Sequence, residues 1–251
     1  MEIIKGRQKR PFKTAIYGPP GVGKSKLAAT AESALFINME NALFHLDVHS
    51  TPHLKTYEEV RDASAFAYNS DYKTVVYDCI DNLDDMIVSK VISEANVARI
   101  RAGKDELTSL DDIGYGKGYF LAKKKWDVVF AMFNAFVGKG KNIILVGHSQ
   151  VINFKDPAGE DFDTYTIKMG KGARDSLYAQ MDNIFYMTWR NYVDTPKKEE
   201  IGKRPKGVGD GSVVIHTEQR PAFTAKNRYN LPPIVDIASN DNDFFKRLAE
   251  M

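Results

Sequence analysis

The chain has 251 residues, 43% of them hydrophobic and 27% charged, with a net charge of +2. That length and composition suit one large α/β domain or two small ones with a sizeable core, and the near-neutral balance neither requires nor excludes nucleic acid as a partner. A single cysteine, Cys79, excludes an internal disulfide and a multi-cysteine zinc site and fits a reducing compartment.

The basic start, Met1 to Phe12, leads into no apolar h-region, and runs such as Ile143 to Val146 are far too short to span a bilayer. A cytoplasmic protein with no membrane partner is expected. Lys13 to Tyr17 reads as a first strand, Lys24 to Glu32 as a helix and Ala34 to Asn38 as a second strand. Thr56 is placed to cap a helix reaching about Tyr68, with Glu58 and Glu59 in its acidic first turn. Thr74 to Asp78 is a third strand, and Asn82 to Arg101 a long helix. Gly118 to Val137 is another helix, with an apolar stripe through Phe120, Trp126, Val129, Phe130, Phe133 and Phe136. Asn142 to Gly147 is a fourth strand and Asn183 to Thr188 a fifth. Gly103 to Gly116 and Thr195 to Gly211 read as exposed, mobile loops. Ser212 to His216 and Ala222 to Ala225 suggest a late antiparallel pair, and Asn240 to Met251 a terminal helix. Apolar strands alternating with long helices predict an α/β fold: a mainly parallel sheet, helices on both faces, and a small antiparallel C-terminal extension. A single domain over 1–251 is expected, with its core at about 10–190, the late strands at about 212–235 and the last helix at about 240–251.

Gly18-Pro19-Pro20-Gly21-Val22-Gly23-Lys24-Ser25 matches the phosphate-loop pattern at every fixed position, between a strand and a helix. Its glycines let successive N–H groups face phosphate oxygens, and the helix start adds its positive end. Lys24 would reach the β- and γ-phosphates of ATP, Ser25 would hold Mg²⁺, and Lys26 belongs to the same binding segment. Asp78 ends the third strand, where a carboxylate steadies the Mg²⁺ shell; the alternative is a strand end beside the turn formers Asp81 and Asn82. Glu40, just past the second strand, is the candidate for orienting water at the γ-phosphate, against a merely solvated loop residue. His148, Ser149 and Gln150 end the fourth strand and either sense the γ-phosphate or cap the strand. Cys79 reads as a buried small residue rather than a nucleophile.

Phe36-Ile-Asn-Met-Glu-Asn-Ala-Leu43 resembles the RecA segment whose glutamate activates water, with Asn38 where RecA has aspartate. The phosphate loop, Gly114-Tyr-Gly-Lys-Gly-Tyr119, Gly147-His-Ser-Gln150 and Thr217-Glu-Gln-Arg-Pro-Ala-Phe-Thr-Ala-Lys-Asn-Arg-Tyr229 resemble the small RecA-like ATPases of bacteriophages. The last stretch is also similar to the Lys-Asn-Arg-Phe-Gly signature of RadA, with Tyr229 and Asn230 in place of Phe-Gly. The likeness spans about residues 10 to 235. It implies a RecA-like core with the fourth strand between the phosphate-loop and Asp78 strands. It also implies Glu40 as catalytic base, His148 or Gln150 beside the γ-phosphate, and recombination, annealing or replication on single-stranded DNA in an infected bacterial cytoplasm, with phage or host single-strand binding protein a possible partner. RecA-like rings and filaments further imply a homo-oligomer in which Lys226 and Arg228 enter a neighbour's nucleotide site; the alternative is two solvated edge-strand cations.

Basic and aromatic residues alternate in two places, as on single-strand-binding surfaces. Lys117, Tyr119, Lys123 and Lys124 follow the Gly103 loop, and Lys168 and Lys171 lie in the stretch from Gln150 to Gly172. A solvated helix face is the alternative. The competing function is an ATP-controlled partner-binding module, such as a helicase loader or regulatory switch, whose turnover would ignore DNA.

Overall fold

A computed structural model describes residue 3 and residues 5–6, 8–157, 159–194, 206–238 and 243–251. Its strands are β1 (Lys13–Gly18), β2 (Ala34–Asn38), β3 (His49–Ser50), β4 (Thr74–Asp78), β5 (Asn142–Phe154), β6 (Phe162–Ile167), β7 (Asn183–Asp194), β8 (Lys206–His216) and β9 (Ile234–Ile237). Its helices are α1 (Lys24–Ala28), α2 (Tyr57–Asn69), α3 (Ile80–Arg101), α4 (Lys117–Gly138), α5 (Lys171–Gln180) and α6 (Phe244–Glu250). The strands lie in the order β3-β2-β4-β5-β1-β7-β8-β9. Pairing is parallel from β3 through β7 and antiparallel in β8 and β9. β5 thus separates β1 from β4, the arrangement the resemblance implied.

Buried runs such as Thr-Val-Val-Tyr-Asp in β4 form central strands because both faces are covered. On one face, α2 to α5 bury Trp126, Phe130, Phe133 and Phe136 against Tyr17, Tyr77 and Leu145. On the other, α1 and α6 cover Phe12, Ile16, Phe36 and Phe185 with Leu27, Phe244 and Phe245. Each fully buried phenylalanine contributes roughly 1.5–3 kcal/mol. The Thr56 cap is present as a full box: Glu59 N–H donates to the Thr56 hydroxyl, and the Glu59 carboxylate accepts from Thr56 N–H.

Five expectations are corrected. The first helix stops at Ala28 rather than Glu32. Its exit tightens into bonds from Thr30 N–H to Leu27 O and Ala31 N–H to Ala28 O, while the Thr30 hydroxyl also donates to Leu27 O. The fourth strand does not end at Gly147; it runs to Phe154 and forms an antiparallel ribbon with β6. That ribbon is half exposed, so it lacks the apolar run that marks the inner strands. Residues 206–211 of the expected loop are strand; 195–205 lie outside the described residues. Ser212 to His216 pair with β7 and β9, not with Ala222 to Ala225. The latter segment crosses over, with Phe223 bridging Tyr165 and Lys226 bridging Ile184. The last helix begins at Phe244, with 239–242 outside the described residues.

The Gly103 to Gly116 segment is exposed but braced. The buried Asn96 amide pairs with both backbone groups of Leu107, and Asp112 accepts the N–H groups of Thr108 and Ser109. Gly118 is the fixed point: a Cβ there would stand 2.3 Å from Leu110 O, so only glycine lets α4 start against this loop.

Candidate nucleotide site

β1 ends at Gly18, whose added Cβ would sit 2.0 Å from Met187 O, so glycine is required where β1 meets β7 and the chain turns into the loop. Gly18 to Ser25 then wraps to the start of α1. Lys24, 6% exposed, donates from Nζ to Gly18 O at 3.1 Å and Pro19 O at 2.9 Å. Burial lowers its ammonium pKa, opposed by Glu40, then Asp78 and Asp81. It is a cation held by the loop and surrounded by carboxylates, the setting for meeting phosphate oxygens.

Asp78 closes β4 and is buried, and neither carboxylate oxygen has a hydrogen-bond partner of ordinary length. Burial pushes its pKa up to about 6; Glu40 adds to the rise, while the nearby Ser25 hydroxyl, then Lys24 and His148, ease ionisation. A buried orphan carboxylate is costly in the bare chain. A divalent cation is the partner that fits it: Ser25 and Asp78 offer hard oxygen donors beside the phosphate loop. Such a cation would neutralise phosphate charge there.

Three elements complete the far side. His148, on β5 level with Gly18, presents Nδ1 to Asp81 Oδ2 at 2.9 Å and Nε2 to Glu40 Oε1 at 3.6 Å. Asp81 Oδ1 also accepts the His148 backbone N–H at 3.2 Å. Burial pushes the Asp81 carboxyl up, but its bonds to His148 and Cys79 outweigh this and hold it below its ordinary value. His148 is raised, chiefly by its bond to Asp81. The chain Asp81–His148–Glu40 therefore fixes the imidazole and leaves the exposed Glu40 at the open end, where it can receive a proton from water.

A family model described as an AAA domain matches residues 10–229. The chain belongs to this family of AAA-type P-loop ATPase domains. No curated protein matches the chain. Family membership points to nucleotide binding and hydrolysis.

The structure thus brings Lys24, Ser25, Asp78, Glu40 and His148 together at the carboxyl ends of β1, β2 and β4, beside the middle of β5. Lys26 is exposed on α1. Gln150 is turned aside, its amide donating to Ile167 O at 3.2 Å and Met169 O at 3.4 Å. Asp81, which reads in sequence as a turn former, is the site residue that the sequence does not disclose. Its signal was spacing: three residues after Asp78, a carboxylate in the first turn of α3 returns to the strand end. Cys79 is buried as expected, with Sγ 3.9 Å from His148 Nδ1.

Lys226 and Arg228 are not in this chain's own site. Lys226 bridges Ile184, and Arg228 N–H donates to Asn183 Oδ1, at the amino ends of β1 and β7. From the level of Thr14 to Gly18 is four residues of strand, about 13 Å at ~3.3 Å per residue. There Lys226 Nζ donates to Tyr178 O at 2.8 Å and Ala179 O at 3.3 Å, at the end of α5, and Arg228 pairs with buried Asp182 at 3.2 Å. A cavity of about 740 Å³ also lies at the amino ends, among Arg10, Phe12, Thr30, Lys73 and Phe245, away from the phosphate loop.

The two basic segments converge. Lys117, Tyr119, Lys123 and Lys124 are exposed along the start of α4, and Lys168 and Lys171 are exposed at the start of α5. The Lys123 side chain reaches to 3.9 Å from a Cβ built on Gly172. Lys124 lies over the Phe120 ring at 4.6 Å, Tyr119 donates to Asp111, and Lys123 pairs with Asp127. Asp84 of α3 ties α4 to the start of α5, accepting from Trp126 Nε1 at 2.6 Å and Gly170 N–H at 2.7 Å. No helix among the described residues is long and apolar enough to cross a membrane.

Proposed function

We propose that the chain is a RecA-like, DNA-stimulated ATPase that acts on single-stranded DNA in phage recombination, annealing or replication within a bacterial cytoplasm. The observation carrying this reading is the link between the basic face and the site. The first turn of α3 holds His148 through Asp81, and the next turn, through Asp84, holds α4 at Trp126 and the start of α5 at Gly170, beside the basic segments. Phosphates on Lys117, Lys123, Lys124, Lys168 and Lys171, with Tyr119 as a stacking surface, would bear on the same helix that fixes the relay to Glu40. Mg²⁺ and ATP are bound by Gly18 to Lys26, Ser25 and Asp78, with Glu40 orienting water.

The sites are shared in a homo-oligomer, with Lys226 and Arg228 supplied to a neighbour's γ-phosphate. Supporting this, both cations stand partly exposed at the end of the sheet away from their own phosphate loop. The test is ATP turnover with and without single-stranded DNA over a salt series. Stimulation that fades steeply with salt, and is lost in Lys117→Ala/Lys123→Ala, supports the reading. Turnover indifferent to DNA would favour an ATP-controlled partner-binding module instead.

A further inference from the structure

Cys79 has no part in the ATPase reading, yet it stands between two residues that do. Glu40 follows β2, Cys79 precedes α3 and His148 lies on β5, and one donor atom from each lies within 4.8 Å of the other two. We propose that Glu40, Cys79 and His148 form a binding site for a zinc-class transition-metal ion, separate in chemistry from the Mg²⁺ position, and that its occupation blocks ATP turnover.

The donor set is the first argument. One carboxylate oxygen, one imidazole nitrogen and one sulfur is a borderline-soft combination that suits zinc and disfavours magnesium. The Mg²⁺ candidates, Ser25 and Asp78, are oxygen donors only. Size is the second. Tetrahedral zinc at bond lengths of about 2.0–2.3 Å separates its ligand atoms by roughly 3.5 Å. The Nε2–Oε1 separation of 3.6 Å already meets this, and Cys79 Sγ lies 3.9 Å from Nδ1 of the same ring. Orientation is the third. A zinc-bound histidine ordinarily donates its other ring N–H to a carboxylate, and Asp81 already takes His148 Nδ1 at 2.9 Å, leaving Nε2 turned toward Glu40.

Glu40 is exposed, His148 is half-buried and the thiol is buried. As the metal–sulfur bond forms, the thiol proton leaves to solvent and its bond to Asp81 is lost; no electron changes hands. The fourth position falls to water. Binding itself does not depend on the ATPase reading. The inhibitory consequence does, because the ion would take the carboxylate that reading assigns to water activation.

Cobalt(II) reports such a site without any nucleotide. Titrated into the wild-type chain, it should bind one to one with a thiolate-to-cobalt absorption in the near ultraviolet, and zinc should bleach it stoichiometrically. The absorption should vanish in Cys79→Ser. Asp81→Asn should weaken cobalt affinity by about 10- to 100-fold, and His148→Gln should weaken it further. In turnover assays with excess Mg·ATP, zinc should inhibit the wild type and spare Cys79→Ser. A folded wild-type chain without the near-ultraviolet band overturns the site, as does a band unchanged by His148→Gln. Equal zinc inhibition of wild type and Cys79→Ser overturns its link to turnover. A chain that binds cobalt through sulfur but never hydrolyses ATP would leave the metal site standing and refute the ATPase reading instead.

Discussion

The two ends of the central sheet use the same charged residue types in opposite ways. At the amino ends, buried Asp182 accepts from Arg10, Arg228 and the Lys13 backbone N–H, Lys13 Nζ donates to Asn134, and Lys226 rests on helix-end carbonyls. At the carboxyl ends, Asp78 has no hydrogen-bond partner of ordinary length among the described residues, Lys24 is desolvated against its own loop, and His148 stretches between two carboxylates. One end has charges that answer one another. The other has charges that await something from outside. Unsatisfied buried charge costs stability, so a fold that keeps it has a use for it.

The strongest challenge to that contrast is Arg228, a satisfied amino-end residue given a chemical role in a neighbour. Arg228→Ala should cut turnover by about 10³- to 10⁵-fold while keeping the fold. Mixing it with Glu40→Gln protein should restore activity in part, since some interfaces then join an intact Glu40 to an intact Arg228. Mixed oligomers that form but stay inactive would place the finger elsewhere and leave the amino end purely structural. Glu40→Gln alone should lose about 10²- to 10⁴-fold in turnover yet still bind ATP, because only proton transfer is removed. Asp182→Asn should do the reverse, lowering stability by on the order of 2–3 kcal/mol with ATP affinity unchanged in a binding titration.

The smallest effect separates the two ends by pH. His148 has a folded pKa raised by Asp81, so its contribution to stability is fully present below the unfolded value near 6.5 and is lost as pH rises through the higher folded value. The stability gap between wild type and His148→Gln, under about 1 kcal/mol, should therefore be widest near pH 6 and narrow in alkaline buffer. A gap that widens with pH contradicts the raised imidazole.

The legible parts of this fold were those governed by local rules. Buried parallel strands are apolar throughout, so β1, β2 and β4 stand out; the phosphate loop is a fixed spacing; Thr56 and Glu59 spell a capping box. What stayed hidden depends on contacts distant in sequence. The β5–β6 ribbon has mixed polarity because one side faces solvent, and β9 pairs with β8 where Ala222 to Ala225 had been expected. Asp81 was visible as a residue but not as a ligand of His148, since the two meet only when β5 is laid beside β4. Lys226 and Arg228 were expected on one strand; Lys226 instead makes an isolated bridge and Arg228 lies in a bend, and nothing in the sequence indicated that α5 and Asp182 would hold them within their own chain.

The central claim is that Asp78 is left unsatisfied because it serves a magnesium–nucleotide complex. An acid whose folded pKa is raised favours the folded state when protonated, so stability falls as pH rises from about 4, its unfolded value, to about 6. Above that the ionised carboxylate costs about 3 kcal/mol. Thermal unfolding of wild type and Asp78→Asn at pH 7.5, each with and without Mg·ATP, tests this directly. The account predicts that Asp78→Asn is the more stable protein without ligand, and that Mg·ATP raises the melting temperature of the wild type far more than that of the variant. A variant that is less stable without ligand, or that gains as much from Mg·ATP as the wild type does, would contradict it.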